Sequence, residues 1–263
     1  MVIRLLRNFL IAAHHITKGQ VVMIKYNDPL IDIIFNNVVA EAEKEPKRKY
    51  IGASSIGDRC YRRLWLQFYK PETAAPAPAT LTLAANDGHR SELIMAGYLQ
   101  AIPGIDLKTH KADGTQYGFS DHGGYFKGHF DGIISGLPEI PRTTCIWEHK
   151  SKNHRLYDEL TKLKDKNPIG EVLRMWDYTY YCQAVIYMHY AELSTHYMTV
   201  SAAGMRNFQS VITYANPEFA EGLIQKAARI IDMESPPIGI SQTPSWWECK
   251  MCKFNKECFK NER

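Results

Sequence analysis

The sequence predicts an α/β fold in which a mixed central β-sheet is flanked by helices. Two observations carry that expectation. Helical and strand-like stretches follow the order helix, strand pair, helix, strand pair, helix. No internal repeat and no second run of core-forming segments interrupts the order. Residues 51–263 therefore read as one domain, preceded by an N-terminal extension and helix over residues 1–50.

Asp28 to Glu45 sets Leu30, Ile33, Ile34, Val38 and Val39 on a helical period, with Pro29 near its start. A charged, proline-interrupted connection covers Glu43 to Lys49. Ser54 and Ser55 precede a helix expected over Ile56 to Tyr69, with Cys60 inside it. Pro71 to Thr80, rich in Ala and Pro, reads as an exposed linker, and a second helix is expected over Leu81 to Gln100. Gly124 to Ile134 and Thr143 to Ser151 read as strands, joined by a loop marked by Gly136, Pro138 and Pro141. The polar, Lys-rich stretch Lys152 to Gly170 reads as a mobile loop. Glu171 to Leu193 reads as one long helix, Thr195–Ala202 and Phe208–Tyr214 as strands, and Pro217 to Met233 as the last helix.

Composition bounds the function without choosing it. A formal charge of +4 permits a polyanionic partner but does not require one. Six cysteines are too few for a disulfide scaffold in 263 residues, so a reducing, cytoplasmic setting in which thiolates bind metal is expected. The apolar run Phe9 to Ala13 is too short to span a bilayer, and no membrane association is expected. Residues 1–27 hold no acid. A transit segment, a surface helix and an upstream start before Met23 all fit that composition.

The chemistry gathers in the middle of the chain. Alternate residues of a strand share a face, so Glu148 and Lys150 point one way while Trp147 and His149 point the other. Pairing of the two strands brings Asp131 beside Glu148. Two converging carboxylates repel unless a cation neutralises them, and hard oxygen ligands suit Mg²⁺ or Mn²⁺. Lys150 would then orient the attacking water. The competing reading is a solvated ion pair on a strand face.

With Asp131, Glu148-x-Lys150 and further elements in order, the chain resembles the PD-(D/E)xK nuclease superfamily, in particular its RecB-type branch. Phe130 stands where the motif's Pro would be, and His129 gives an H-x-D variant. The resemblance implies a restriction-endonuclease-like core and metal ligation by the His149 carbonyl. It also implies a role for Gln183 and Tyr187, one helical turn apart, beside the DNA path. Gly88 to Glu92 resembles the helix that donates another metal ligand, at Glu92; His89 is one register away.

Cys249, Cys252 and Cys258, with the distant Cys60, supply four thiolates for a [4Fe–4S] cluster or a tetrahedral Zn²⁺. Spacing alone leaves both open. The resemblance to CRISPR-associated and phage iron–sulfur nucleases implies the cluster, a clasp joining the N- and C-terminal segments of the domain. Cys145 and Cys182 are left as packed thiols.

Function follows from the resemblance: a Mg²⁺- or Mn²⁺-dependent DNA exonuclease acting on single strands or duplex ends. Recombination, repair or CRISPR-type processing is the implied setting, with a protein partner from one of those pathways, in a bacterial or phage-infected cell. A structure-specific endonuclease on the same core, or an inactive DNA-binding adaptor, would use the same residues. Basic residues from Arg59 to Arg63 and from Lys150 to Lys166, with Trp176, Tyr178, Tyr180 and Tyr181, offer contacts to DNA. The aromatics serve equally as helix core.

Overall fold

The computed structural model describes residues 28–260, and the readings made of residues 1–27 lie outside the described residues. In chain order the elements begin with α1 (Pro29–Glu43), β1 (Ile51–Gly52), α2 (Tyr61–Tyr69) and α3 (Ala79–Gln100). Strands β2 (Asp106–Lys108), β3 (Tyr117–Asp121), β4 (Phe126–Phe130), β5 (Gly132–Ser135) and β6 (Cys145–Lys152) follow. Next are helices α4 (His154–Lys164), α5 (Val172–Trp176) and α6 (Tyr178–Ala191), then β7 (Thr195–Ala202) and β8 (Phe208–Tyr214). The chain closes with α7 (Pro217–Asp232) and the short turns α8 (Trp247–Lys250) and α9 (Asn255–Cys258).

The α/β class holds, but the strands make two sheets rather than one. A three-stranded sheet has the order β1-β4-β3, and a five-stranded mixed sheet has the order β2-β5-β6-β7-β8. The stretch expected as one strand from Gly124 to Ile134 divides at Asp131: β4 belongs to the small sheet and β5 to the large one. Its alternation runs unbroken through the division, which is why the pattern alone does not reveal it. Strands β6 and β7 pair in parallel and the other large-sheet pairs are antiparallel.

Helices cover both faces of the large sheet. Met95 and Ala96 of α3 pack with Cys145, Trp147 and Tyr197 on one side. On the other, Ile146, Met198 and Val200 meet the helical layer of α4 to α7, whose buried side chains include Leu160, Leu173, Val185 and Leu223. All eight residues of β7 are buried, as expected of a strand enclosed on both faces.

Three local expectations need correction. Lys152 to Gly170 is largely helix α4: Asn153 caps it by accepting from the Leu156 amide at 3.0 Å, and Leu156, Leu160 and Leu163 point to the core. Those leucines, spaced four and three, outweigh the lysines between them. The long helix expected over Glu171 to Leu193 breaks at Asp177, whose carboxylate caps α6 by accepting from Thr179 and Tyr180 amides at 3.0 and 3.1 Å. Cys60 lies at the N-cap of α2 rather than inside the helix, because residues 53–57 form turns.

Candidate active site

Where the two sheets meet, the antiparallel register Gly132↔Trp147, carried one residue further, sets Asp131 opposite Glu148. The Asp131 carboxylate accepts the backbone amide of His149 at 2.8 Å. Glu148 is only 1% exposed, and its Oε2 accepts a hydrogen bond from the Lys150 ammonium. Its other oxygen, Oε1, is buried with no partner among the described residues. Glu92, on α3, lines the same cavity of about 350 Å³ as Asp131, Glu148 and Lys150. His89 lines it too, yet it is Glu92 whose charge acts on the carboxyl of Glu148.

The electrostatics follow from burying more carboxylates than one ammonium can balance. Burial, then Asp131, pushes Glu148 up to about 8. Burial, then Asp131 again, pushes Glu92 up to about 7. Asp131 is also raised, chiefly by burial. Burial alone would lower Lys150, but Glu148 and Asp131 outweigh it and hold the ammonium above its ordinary value. Such a cluster is short of positive charge.

Among the described residues, no three Asp, Glu, His or Cys side chains already converge on one point as ligands of a single ion. The donor chemistry nevertheless fits a divalent cation: three hard carboxylates share one cavity, and a buried carboxylate oxygen has no partner.

Gln183 and Tyr187 share the face of α6 that meets this cavity, as their spacing predicted. They are buried, at 7% and 2% exposure, and are bonded within the protein. The Gln183 amide donates to the Tyr187 hydroxyl at 2.9 Å, which donates to the His129 carbonyl at 2.6 Å. Their visible work is to fix β4 two residues before Asp131. His149 turns from the cavity; its ring nitrogens lie 3.0 and 3.1 Å from the hydroxyls of Thr199 and Ser201.

Cys60, Cys249, Cys252 and Cys258 surround a second cavity, so residues from the two ends of the domain do meet. Burial, followed by the neighbouring thiols Cys258, Cys60 and Cys252, raises Cys249. The Arg62 guanidinium donates to Cys258 Sγ at 3.6 Å and the Phe254 amide to Cys252 Sγ at 3.4 Å. Donors aimed at sulfur suit thiolates that carry charge. Among the described residues, these four cysteines do not stand as a closed set of ligands for a metal group. Cys145 and Cys182 are fully buried elsewhere, as expected of packed thiols.

No family model and no curated protein matches this sequence. Among solved structures, that of SSO0001 is 18% identical with a TM-score of 0.47, covering 87% of this chain and 96% of that one. An alkaline exonuclease from Laribacter hongkongensis is 14% identical with a TM-score of 0.45, covering 74% and 90%. A phage related exonuclease from Haemophilus somnus 129PT is 11% identical with a TM-score of 0.37, covering 57% and 68%. Each is a distant likeness.

Several basic residues expected to face DNA are engaged otherwise. Arg63 is ion-paired with Asp58, and Arg62 donates to the Pro237 carbonyl at 2.7 Å as well as to Cys258. Lys152 donates to the Tyr180 hydroxyl at 2.6 Å and lies over the rings of Tyr180 and Trp176. Sequence reasoning missed Arg48, Tyr50, Ser54 and Lys127, which line the same cavity as the acids. The only signal was their proximity in sequence to the short strand β1 and to the start of β4. A two-residue strand leaves no periodicity to find.

Proposed function

We propose that this protein is a metal-dependent deoxyribonuclease, an exonuclease that hydrolyses phosphodiester bonds at single-stranded or duplex DNA ends. The observation that carries the reading is the acid cluster itself: Asp131, Glu148 and Glu92 in one cavity with Lys150, and an unpartnered buried oxygen on Glu148. One buried and two half-buried carboxylates whose ionisation is disfavoured by their surroundings form the kind of cluster that functional sites retain.

Glu92, Asp131, Glu148 and the His149 carbonyl would hold Mg²⁺ or Mn²⁺. Bound there, the ion supplies Lewis-acid stabilisation of a phosphoryl oxygen and lowers the pKa of an attacking water. Lys150 keeps its proton, so it serves as a hydrogen-bond donor to the water or to the phosphate, not as the base. Tyr187 and Gln183 act as positioning residues, holding the backbone that presents Asp131. His149, which burial and then Lys150 push down to about 4, stays neutral in the core and takes no part in proton transfer.

The four cysteines around one cavity, with N–H groups directed at two of their sulfurs, support a structural [4Fe–4S] cluster as the clasp. A cytoplasmic setting, read from the cysteine count, and recombination, repair or CRISPR-type processing as the pathway, read from the sequence resemblance, accompany this reading.

The test is release of nucleotides from linear DNA on adding Mg²⁺ or Mn²⁺, lost in Lys150→Ala while DNA binding persists. Full activity in that variant would overturn the mechanism. Cleavage of a covalently closed circle would reassign the enzyme as an endonuclease. Brown colour and thiolate-to-iron charge-transfer absorption in anaerobically purified protein test the cluster.

A further inference from the structure

The acids occupy only part of their cavity. Arg48, Tyr50, Ser54 and Lys127 line it as well. β1 runs parallel to β4 with Gly52 opposite Lys127, which brings the segment leading into β1 alongside the start of β4. Two cations lie near the Tyr50 ring there: Lys127 Nζ is 5.5 Å from its centroid and Arg48 Cζ is 6.0 Å. Among the described residues, neither cation has a carboxylate partner within 4.0 Å. Tyr50 is half-buried and Arg48 exposed, so both can be reached from solvent.

The strand sets the spacing between the two parts. On β4 the buried side is Phe126, Gly128 and Phe130, which leaves Lys127 and His129 on the other, and Asp131 follows in the same alternation. Four residues of extended chain span about 14 Å. That separation of backbone positions leaves room for Lys127 and the Asp131 site to meet different phosphates of one strand. Position 128 must be small for this: a Cβ there would lie 2.6 Å from Tyr187 Cε1 and 2.8 Å from Ala53 Cβ. The glycine seats β4 against the residues that fix its neighbours.

We infer that Arg48, Tyr50 and Lys127 form a second subsite that binds a backbone phosphate and stacks a base of the nucleic-acid strand entering the acid cluster. The inference rests on the nuclease reading of that cluster and extends it to a neighbouring nucleotide. An acidic end that takes a cation and a basic, aromatic end that takes a phosphate and a base match the alternating chemistry of a metal-loaded single strand.

The experiment is equilibrium binding of a single-stranded oligonucleotide to the full chain, read by fluorescence anisotropy with divalent metal chelated, over a salt series. Arg48→Ala/Lys127→Ala should bind at least tenfold more weakly at low salt. Its slope of log affinity against log salt should fall by about 0.7 for each phosphate that is no longer neutralised. Tyr50→Ala should lose about tenfold and Tyr50→Phe little, since the face rather than the hydroxyl stacks. Lys127→Arg should restore the slope, an outcome that a merely structural role for Lys127 would not give. Lys44→Ala, at the C-cap of α1 and paired with Glu41, serves as control. Wild-type affinity and slope in the double variant would overturn the subsite. Because hydrolysis plays no part in this readout, a wild type that binds with these properties but releases no nucleotides would sink the nuclease reading and leave the subsite standing.

Discussion

The carboxylate of Asp131 is hydrogen-bonded to the backbone amide of His149 at 2.8 Å, and that bond pins the end of the small sheet to the central strand of the large one. The bond occupies only Oδ2, so the acid is held in place without being neutralised. One carboxylate thus fixes the joint between the sheets and supplies charge to the cavity. Function and architecture share this residue, and substitutions near it should report on both.

Lys150→Met removes the ammonium bonded to Glu148 while keeping an unbranched side chain. Glu148, 1% exposed, then loses its charge partner. Breaking a buried pair on one side costs on the order of 3 kcal/mol. The metal-free variant should therefore show a lower urea midpoint than wild type, and Mg²⁺ or Mn²⁺ should raise its melting temperature more than it raises that of wild type. An unchanged midpoint without metal would mean that Lys150 does not balance the cluster.

Tyr187→Phe isolates the positioning role of α6. The substitution leaves the His129 carbonyl and the Gln183 amide without their partner in a buried site, a loss of about 1–3 kcal/mol. Single-strand binding under chelation should stay within twofold of wild type, while metal-dependent turnover falls at least tenfold with KM little changed. A rise in KM at constant kcat would instead make Tyr187 a contact for the strand.

The acid cluster was legible because strand alternation and register are short-range rules: Glu148-x-Lys150 had to share a face, and Asp131 had to fall near them once the strands paired. The cysteines were legible as a set, though no spacing rule chooses their metal. What stayed hidden were features that depend on tertiary placement. Asp131 divides two sheets without any break in apolar alternation. Asp177 interrupts a stretch whose composition suits helix throughout, because a carboxylate that caps α6 also ends α5. Arg48, Tyr50 and Lys127 come together only through the parallel pairing of a strand two residues long.

Acid pH should destabilise the fold through His196. This side chain on β7 is 1% exposed, and neither ring nitrogen has a partner among the described residues. Burial, aided by Lys150, pushes it down to about 3. The unfolded chain takes up the proton near pH 6.5, whereas the folded chain refuses it until about pH 3. Stability from this group is therefore present above about pH 6.5 and lost as pH falls toward 3, at up to about 1.4 kcal/mol per pH unit. His196→Leu should lessen the pH dependence of unfolding free energy between pH 6 and 4 by about one proton, as followed by urea unfolding monitored by circular dichroism. Identical slopes in the two proteins would show that the ring is not held neutral.

Cys60→Ser tests the clasp against its simplest alternative, four idle thiols. The C-terminal segment is held to the rest by interactions that include the Lys70–Glu257 ion pair at 2.9 Å, the Ala75 amide on the Lys253 carbonyl at 2.8 Å, the Arg62 guanidinium on Cys258 Sγ at 3.6 Å, and the buried Phe254 and Phe259. A surface ion pair contributes about 0–1 kcal/mol, so a metal group binding thiols from both ends would dominate the attachment. Cys60→Ser should lose visible absorption, and protease should then cut the stretch over residues 234–246 that joins α7 to α8. Cys145→Ala and Cys182→Ala should keep the absorption, because burial pushes both thiols up to about 11 and leaves them protonated. A Cys60→Ser protein with the full chromophore and the same resistance to protease would remove this residue from the clasp, and α2 would be tied to the C-terminal segment by packing and the Arg62–Cys258 hydrogen bond.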